Sequence, residues 1–361
     1  MEKLRVGIIG GTGMVGQRFV TLLHDHPWFE IVLIGASPSS AGKTYYEAVK
    51  GRWAQTMDIP AYIGAMTVVS AEDIAVIAEE VDFVFCAVDM PKEAINSLEE
   101  RYAKAEIPVV SNNSAHRWTK DVPMVIPEIN SEHIHIIDAQ RKRLGTTRGF
   151  IAVKPNCSIQ SYVPVLEAFK KFGPKEAIIC TYQAISGAGK TFKSWPEMVD
   201  NVIPYIGGEE KKSEDEPLKI WGHIENGEIV NATLPVISAQ CIRVAATDGH
   251  MAAVSVRFEE KPELEEMIAS INNYSGRPQE LDLPSAPKQF MKYMTDESRP
   301  QTRLDRDYEN GMGVTVGRLR EDHIYDYKFV CLAHNTLRGA AGGAVLIAEL
   351  LKAEGYITKK P

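Results

Sequence analysis

The sequence predicts an α/β chain in two parts: a parallel sheet covered by helices over residues 1–150, then a mixed-sheet α+β part over 151–334. Three observations carry this. Short β-branched runs alternate with helical stretches through the first part, which is the pattern of strands joined by helical crossovers. Near residue 150 the strands lengthen and lose regular crossovers, as in a mixed or antiparallel sheet. A cluster of glycines sits at the first strand-to-helix turn. A length of 361 residues fits two domains, and an apolar fraction of 44% is enough for two cores.

Taken in order, Leu4–Ile9 reads as a buried strand and Gly16–His24 as a helix whose apolar face is Phe19, Val20, Leu22 and Leu23. Ile31–Ile34, Thr67–Val69, Phe83–Val88 and Ile107–Ser111 follow as strands, with helices over Ala71–Glu80 and Pro91–Lys104. Glu132–Arg141 reads as an amphipathic helix with His133 and His135 on its surface. Phe150–Val153 is a strand and Cys157–Phe172 a long helix. The second part adds strands at Glu176–Ala184, Ile242–Ala246, Ala252–Phe258 and Met312–Leu319. The small-residue run Gly339–Leu351 is a C-terminal helix, and residues 335–361 are expected to return to the first domain. Residues 207–217 form the most charged stretch, a solvated loop or helix start.

A formal net charge of -8 opposes general nucleic-acid binding. The chain enters its first strand almost at once, which leaves no room for a signal peptide, and no apolar run reaches the roughly 20 residues of a membrane span. Five scattered cysteines with no CxxC pair suggest neither a zinc site nor a disulfide framework. Reduced thiols in a cytoplasmic protein, with no metal, are the expectation.

Val6–Gly16 reads V-G-I-I-G-G-T-G-M-V-G. Gly11, Gly13 and Gly16 fit G-x-G-x-x-G between a strand and a helix, and Gly10 adds a second register. Small residues let the backbone approach a pyrophosphate, and the helix N-terminus offers free N–H groups. Gly10, Gly11, Thr12, Gly13, Met14, Val15 and Gly16 are therefore a candidate dinucleotide turn of a Rossmann-type domain. Enzymes that use NAD commonly end the second strand with an acid for the ribose hydroxyl. Here it ends Ile34-Gly35-Ala36-Ser37, and Ser37, Ser40 and Lys43 suit a 2′-phosphate, which favours NADP.

Cys157 follows Lys154-Pro155-Asn156 and opens the expected long helix. Unpaired N–H groups and the helix dipole there favour thiolate and can hold an oxyanion. Cys86, Cys180, Cys241 and Cys331 lie in apolar strand patterns and read as small buried hydrophobes. Among nine histidines, His250 stands out: it follows the turn Asp248-Gly249, and a hairpin would hold it near Arg243. His116 and His223 stay undecided.

Together these residues resemble the aspartate-semialdehyde dehydrogenase family, in its archaeal and fungal branch. The matching segments run in order along nearly the whole chain. They are Gly10–Gly16, Ala36–Lys43, Ser111–Arg117, Val125–Asn130, Pro155–Ser158, Gln183 with Ser186–Gly189, Arg243 with His250, and His334–Gly342. The resemblance implies NADPH-dependent reduction of L-aspartyl 4-phosphate to the semialdehyde through a thioester, in the biosynthesis of lysine, threonine and methionine. Cys157 would be the nucleophile, His250 the acid–base group and Gln183 the residue that orients substrate. Arg243 would pair with the α-carboxylate, and Arg117, Lys212 and Asn113 would form the phosphate site. Glu209 or Glu210 would meet the ammonium, and the register within Glu209–Lys212 is open for both the glutamates and Lys211/Lys212. Ser186, Gly187, Ala188, Gly189 and Asn335 would border the nicotinamide. A substrate with a carboxylate, a phosphate and an ammonium needs at least two cations and one anion, because an unpaired buried charge costs several kcal/mol.

Two other functions share these features. Malonyl-CoA reductase uses the same cysteine chemistry on a CoA thioester, but Asn156 and the charged Glu209–Lys212 segment favour an amino-acid substrate. A catalytically silent oligomeric or regulatory protein of this fold would lose the cysteine or histidine, and both are present. The resemblance implies association through the second domain, as a homodimer or a tetramer of dimers.

Overall fold

The computed structural model describes residues 2–360, which form two compact units. The first comprises Met1–Pro155, Ile224–Val230 and Ala341–Pro361. Among its described residues, six strands pair in parallel: β1 (Leu4–Ile9), β2 (Phe29–Ala36), β3 (Val69–Ser70), β4 (Phe83–Cys86), β5 (Val109–Ser111) and β6 (Ile151–Val153). Their order is β3-β2-β1-β4-β5-β6, so the direction of winding reverses next to β1, and ligands of such sheets bind where strands end at that reversal. β1 and β4 are buried almost throughout because helices cover both faces, which is why they read as continuous apolar runs. The helices of this unit include α1 (Met14–Leu23), α2 (Ile74–Glu80), α3 (Lys92–Lys104) and α4 (Ile137–Leu144). α4 ends at Gly145 in the left-handed conformation that glycine adopts without penalty. The C-terminal helix, Gly342–Ala353, packs on α1 and β5 and is buried from Gly342 to Leu351. A helix apolar all round belongs inside a core.

Several expectations need correction here. His133 is buried and shares a hydrogen bond with Asn130, while His135 is exposed. The alternation of polar and apolar residues places one imidazole inward and one outward on a turn that starts as 3-10. The returning segment begins at Ala341, and the second unit starts at Asn156. Residues 224–230, most of a hairpin that sequence patterning passed over, belong to the first unit through Ile229 N–H donated to the Lys120 carbonyl.

The second unit comprises Asn156–His223 and Asn231–Ala340. The strands continue as β7 (Pro174–Gln183), β8 (Val202–Ile203), the hairpin pair β9 (His223–Glu225) and β10 (Glu228–Val230), β11 (Val236–Val244), β12 (His250–Phe258), β13 (Met291–Met294), β14 (Val314–Glu321) and β15 (Tyr327–Ala333). Seven of them form one mixed sheet, β13-β14-β15-β12-β7-β11-β8. Its helices include α5 (Val163–Ala168), α6 (Glu209–Ile220) and α7 (Leu264–Asn272).

The long helix expected over Cys157–Phe172 is absent. A 3-10 turn at Ser158–Gln160 precedes α5, and another at Lys170–Phe172 follows it. Pro164 has no N–H to give the Gln160 carbonyl, so an α-helix cannot run unbroken past it. The β11–β12 hairpin is also overturned, because β7 lies between the two strands, parallel to β11 and antiparallel to β12. The charged 207–217 stretch opens α6. Glu209, Ser213, Glu216 and Ile220 recur on its buried side, and Lys211 pairs with Asp215 outside at 2.6 Å. Among the described residues, no helix is long and apolar enough to cross a membrane.

Candidate active site

Strand alternation builds the centre of the second unit. Arg243 on β11 pairs in register with Gln183 on β7, and Met251 on β12 faces Tyr182. His250 therefore falls beside Gln183, and the three residues lie in a row on the buried face of adjacent strands. The peptide after Gln183 is gripped from both sides. Arg243 Nη1 donates to the Ala184 carbonyl at 2.7 Å, and the Ala184 N–H donates to His250 Nδ1 at 3.1 Å. A ring that accepts at Nδ1 carries its neutral-form proton on Nε2. Both polar ends converge on Gly187, where a Cβ would lie 2.9 Å from Arg243 Nη1 and 2.9 Å from His250 Nε2. Burial pushes the Arg243 guanidinium below its ordinary value, opposed by negative charge at Cys157 and Glu209.

The Cys157 turn is held by α6. Asn156 Oδ1 accepts from both the N–H and the hydroxyl of Ser158 at 2.7 Å. Asn156 Nδ2 donates to the two Glu209 oxygens at 3.0 and 3.1 Å, and its backbone N–H donates to Glu216 at 2.6 Å. Ser213 meets the Ser158 hydroxyl at 3.2 Å. From Asn156 to Ser161 every residue is buried except Cys157, which is half-exposed. A Cβ on Gly339 would stand 2.9 Å from Cys157 Cβ, so the nucleophile turn packs directly against that backbone.

Glu209 joins the two constructions. It also accepts from Lys212 Nζ at 2.8 Å and from Gln183 Nε2 at 3.4 Å. The register of the charged segment is thereby set: Glu209 and Lys212 face Asn156 and Gln183. Glu210 turns to the Cys241 N–H at 3.4 Å, and Lys211 is exposed. Asn335 donates to Ser186 Oγ and accepts from the Gly249 N–H, both at 2.8 Å, so it ties the Ser186–Gly189 turn to the residue before His250.

In the first unit the glycine turn is tightly built. Gly10 has φ +87°, and a Cβ there would be 2.3 Å from the Ala87 carbonyl oxygen. A Cβ on Gly16 would be 2.3 Å from the Gly10 carbonyl. Gly13, the N-cap of α1, has no side-chain cap and only one neighbour, at 3.6 Å. Bare N–H groups at the end of a ten-residue helix, beside a turn with no room for side chains, fit a dinucleotide pyrophosphate. At the end of β2, Ser37 and Lys43 are exposed and Ser40 is buried; Lys43 Nζ donates to the Ser39 carbonyl at 2.8 Å. Arg117 is buried, with Nε donating to the Lys154 carbonyl at 3.1 Å. Asn113 Nδ2 donates to Glu99 at 2.9 Å.

Comparison with known proteins places the chain in a family. A family profile described as the NAD binding domain of semialdehyde dehydrogenase matches residues 5–137, and one described as its dimerisation domain matches 164–338. The aspartate-semialdehyde dehydrogenase of Schizosaccharomyces pombe is 42% identical, over 99% of this chain and 100% of its own. That of Methanothermobacter thermautotrophicus is 40% identical, over 96% and 99%. The chain belongs to the aspartate-semialdehyde dehydrogenase family. A crystal structure of the Candida albicans enzyme with NADP superposes with a TM-score of 0.88 at 38% identity, covering 99% of this chain and 100% of that one. Aspartate semialdehyde dehydrogenase II from Vibrio cholerae shares the fold, with a TM-score of 0.75.

Within this family frame, the second unit brings together Cys157, Gln183, Glu209, Lys212, Arg243 and His250, with Ser186 and Asn335 beside them. Arg117, Asn113 and the glycine turn lie in the first unit. Sequence patterning passed over Ser213 and Glu216, and it gave Asn156 and Gly339 no part in holding the nucleophile turn. Ser213 and Glu216 stand four and seven residues after Glu209, a helical repeat of polar groups that would have shown a buried polar face.

Proposed function

We propose that this chain reduces L-aspartyl 4-phosphate to L-aspartate 4-semialdehyde and phosphate, with Cys157 as nucleophile and NADPH as reductant. The Cys157 thiolate attacks the acyl carbon, the carbon–oxygen bond to phosphate breaks, and a thioester remains. Gly10–Gly16 with Ser37, Ser40 and Lys43 would hold the cofactor, which when bound supplies the hydride that reduces this thioester. Ser186–Gly189 and Asn335 would border its nicotinamide. His250 holds a proton at Nε2 towards the carbonyl oxygen, where negative charge develops as hydride arrives. Collapse of that oxyanion expels the thiolate and releases the aldehyde; the one proton that the whole reaction consumes goes to the phosphate that left when the thioester formed.

Arg243 pairs with the substrate α-carboxylate through its planar fork, and Gln183 orients the acyl group. Glu209, the inward glutamate, takes the ammonium, while Lys212, Arg117 and Asn113 receive phosphate. The observation that carries this reading is the row Arg243–Gln183–His250 tied through Glu209 to the Asn156–Cys157 turn. The buried Glu209 carboxylate suits the ammonium of an amino-acid substrate, and the malonyl group of malonyl-CoA carries no ammonium. The chain works as a homodimer or a tetramer of dimers in the cytoplasm. The exposed Ile178, Val202, Tyr205, Leu234 and Val236 support a sheet-to-sheet contact.

The test is phosphate-dependent reduction of NADP with aspartate semialdehyde, run beside NAD, and beside malonyl-CoA with NADPH. We expect turnover that requires phosphate, prefers NADP and is lost in Cys157→Ala. Phosphate-independent turnover, or turnover of malonyl-CoA alone, would overturn the proposal.

A further inference from the structure

We infer that Tyr45 and Gln17 are positioning residues of the dinucleotide turn, which hold the carbonyls of Gly11 and Thr12 so that the Thr12 N–H is left to the cofactor pyrophosphate. This rests on the reading of Gly10–Gly16 as the cofactor turn. Neither residue belongs to the glycine motif, and both are buried with polar ends, Tyr45 at 0% and Gln17 at 1% exposure. Tyr45 opens a four-residue helix, Tyr45–Ala48, and its hydroxyl donates to the Gly11 carbonyl at 2.8 Å. Gln17 lies near the start of α1. Its Nε2 donates to the Thr12 carbonyl at 3.1 Å and to the Arg52 carbonyl at 3.0 Å, and its Oε1 accepts the Ala54 N–H at 2.8 Å. One buried amide thus ties the glycine turn to the segment that follows Tyr45–Ala48.

The amides of the turn show what this hold achieves. Gly10 and Gly11 both donate to the Gly35 carbonyl, at 2.8 and 3.1 Å, and Gly13 donates to the Gly10 carbonyl at 3.2 Å. No described residue accepts the Thr12 N–H, and Thr12 is half-exposed. A trans peptide is planar, with its C=O and N–H pointing opposite ways. Fixing the Gly11 carbonyl on Tyr45 therefore turns the Thr12 N–H away from the tyrosine. Gln17 holds the same residue from its other side, through the Thr12 carbonyl. An uncommitted amide beside the bare start of a helix is what a pyrophosphate oxygen takes. Burial pushes the Tyr45 hydroxyl above its ordinary value, so it stays protonated and remains a donor. The ring is held separately by an edge contact with Trp53 at 6.3 Å, and the Tyr45 N–H donates to the Met66 carbonyl at 2.8 Å. Loss of the hydroxyl alone leaves both of these contacts in place.

The test compares the parent chain with Tyr45→Phe and Gln17→Met. It reads the Kd of NADP by calorimetry, kcat, the KM for phosphate and aspartate semialdehyde, and inhibition by adenosine 2′-monophosphate competing with NADP. Each variant should weaken NADP about tenfold, the scale of one well-made hydrogen bond. At saturating NADP, kcat and the other KM values should stay within about threefold. Adenosine 2′-monophosphate carries no pyrophosphate and should inhibit variants and parent alike. An unchanged NADP Kd in Tyr45→Phe overturns the inference. Equal weakening of adenosine 2′-monophosphate, or a parallel rise of every KM, also overturns it, because the loss would then be one of general structure. If Gln17→Met does not fold, Tyr45→Phe, which keeps the ring, decides by the same split. Gly13→Ala with normal NADP affinity removes the reading of the glycine turn together with the inference. Gly13→Ala weakening NADP while Tyr45→Phe does not removes the inference alone.

Discussion

At the residue scale, chemistry here depends on where backbone leaves room. Gly187 is the clearest case, because its missing side chain is what lets Arg243 Nη1 and His250 Nε2 reach the same volume. Its φ lies outside the left-handed range, so alanine fits the backbone and the nearest clashes are with the two functional groups. We predict that Gly187→Ala lowers kcat/KM about 100-fold, the scale expected when reacting groups are misplaced by about an ångström, while Tm stays within a few degrees. Steady-state kinetics and a thermal melt check this, and a variant with normal kcat/KM would show that the space is not used. The same logic makes Gly339 a neighbour that Cys157 cannot lose cheaply. The amide of Asn156 is likewise part of the nucleophile, since its two ends fix Ser158 and Glu209 at once. Sequence reading named Cys157, Gln183, Arg243 and His250 as candidates. It did not reach the groups that hold them, because a hydrogen-bonded clamp has no composition of its own.

At the element scale, the first turn separates steric from functional glycines. A Cβ on Gly10 would meet the Ala87 backbone at 2.3 Å and would also be strained by φ +87°. A Cβ on Gly13 would meet nothing closer than 3.6 Å within the protein. Gly10→Ala should therefore lower Tm and NADP affinity together. Gly13→Ala should leave Tm unchanged and raise the NADP KM about tenfold or more, because only bound cofactor competes for that space. Parallel melts with and without NADP distinguish the two, and an equal response of both variants would contradict the assignment. The strand–glycine–helix turn was legible because it is local: β1 and α1 form where periodicity places them. The helix after Cys157 was misread at the same scale. Apolar periodicity continued past Pro164, but a missing N–H overrides periodicity, and the dipole argument for the thiolate weakens with it. Among the causes that act on the Arg243 guanidinium, burial lowers it and negative charge at Cys157 and Glu209 raises it.

At the scale of the whole molecule, the seven-stranded sheet has one face towards helices and another that is half-open. Ile178, Cys180 and Tyr182 on β7, and Val236 and Ile242 on β11, alternate onto that open face. Exposed apolar area of this kind marks an interface, and the profile matched over residues 164–338 is a dimerisation domain. The buried face of the same strands carries Gln183, Arg243 and His250. If this open face carries the association, interface and candidate site occupy opposite sides of one sheet, and that placement is open to test. Introducing a cation there, as in Val236→Lys combined with Ile178→Lys, should shift the protein to a smaller species by light scattering after size exclusion and lower its activity in parallel. A double variant of unchanged mass would place the interface elsewhere.

Sequence alone determined the chemistry and the class of fold. Glycine spacing, strand–helix alternation and the Cys157 and His250 segments are local signals, each readable over ten residues or so. The tertiary structure decided which side chains meet. Arg243 and His250 were expected to approach across a hairpin, yet β7 inserts between their strands and puts Gln183 in the middle of the row. The choice of Glu209 and Lys212 over Glu210 and Lys211 likewise depends on which side of α6 faces the Asn156 turn. Neighbours across a sheet and the rotation of a helix are set by packing of segments distant in the chain, and no local pattern encodes them.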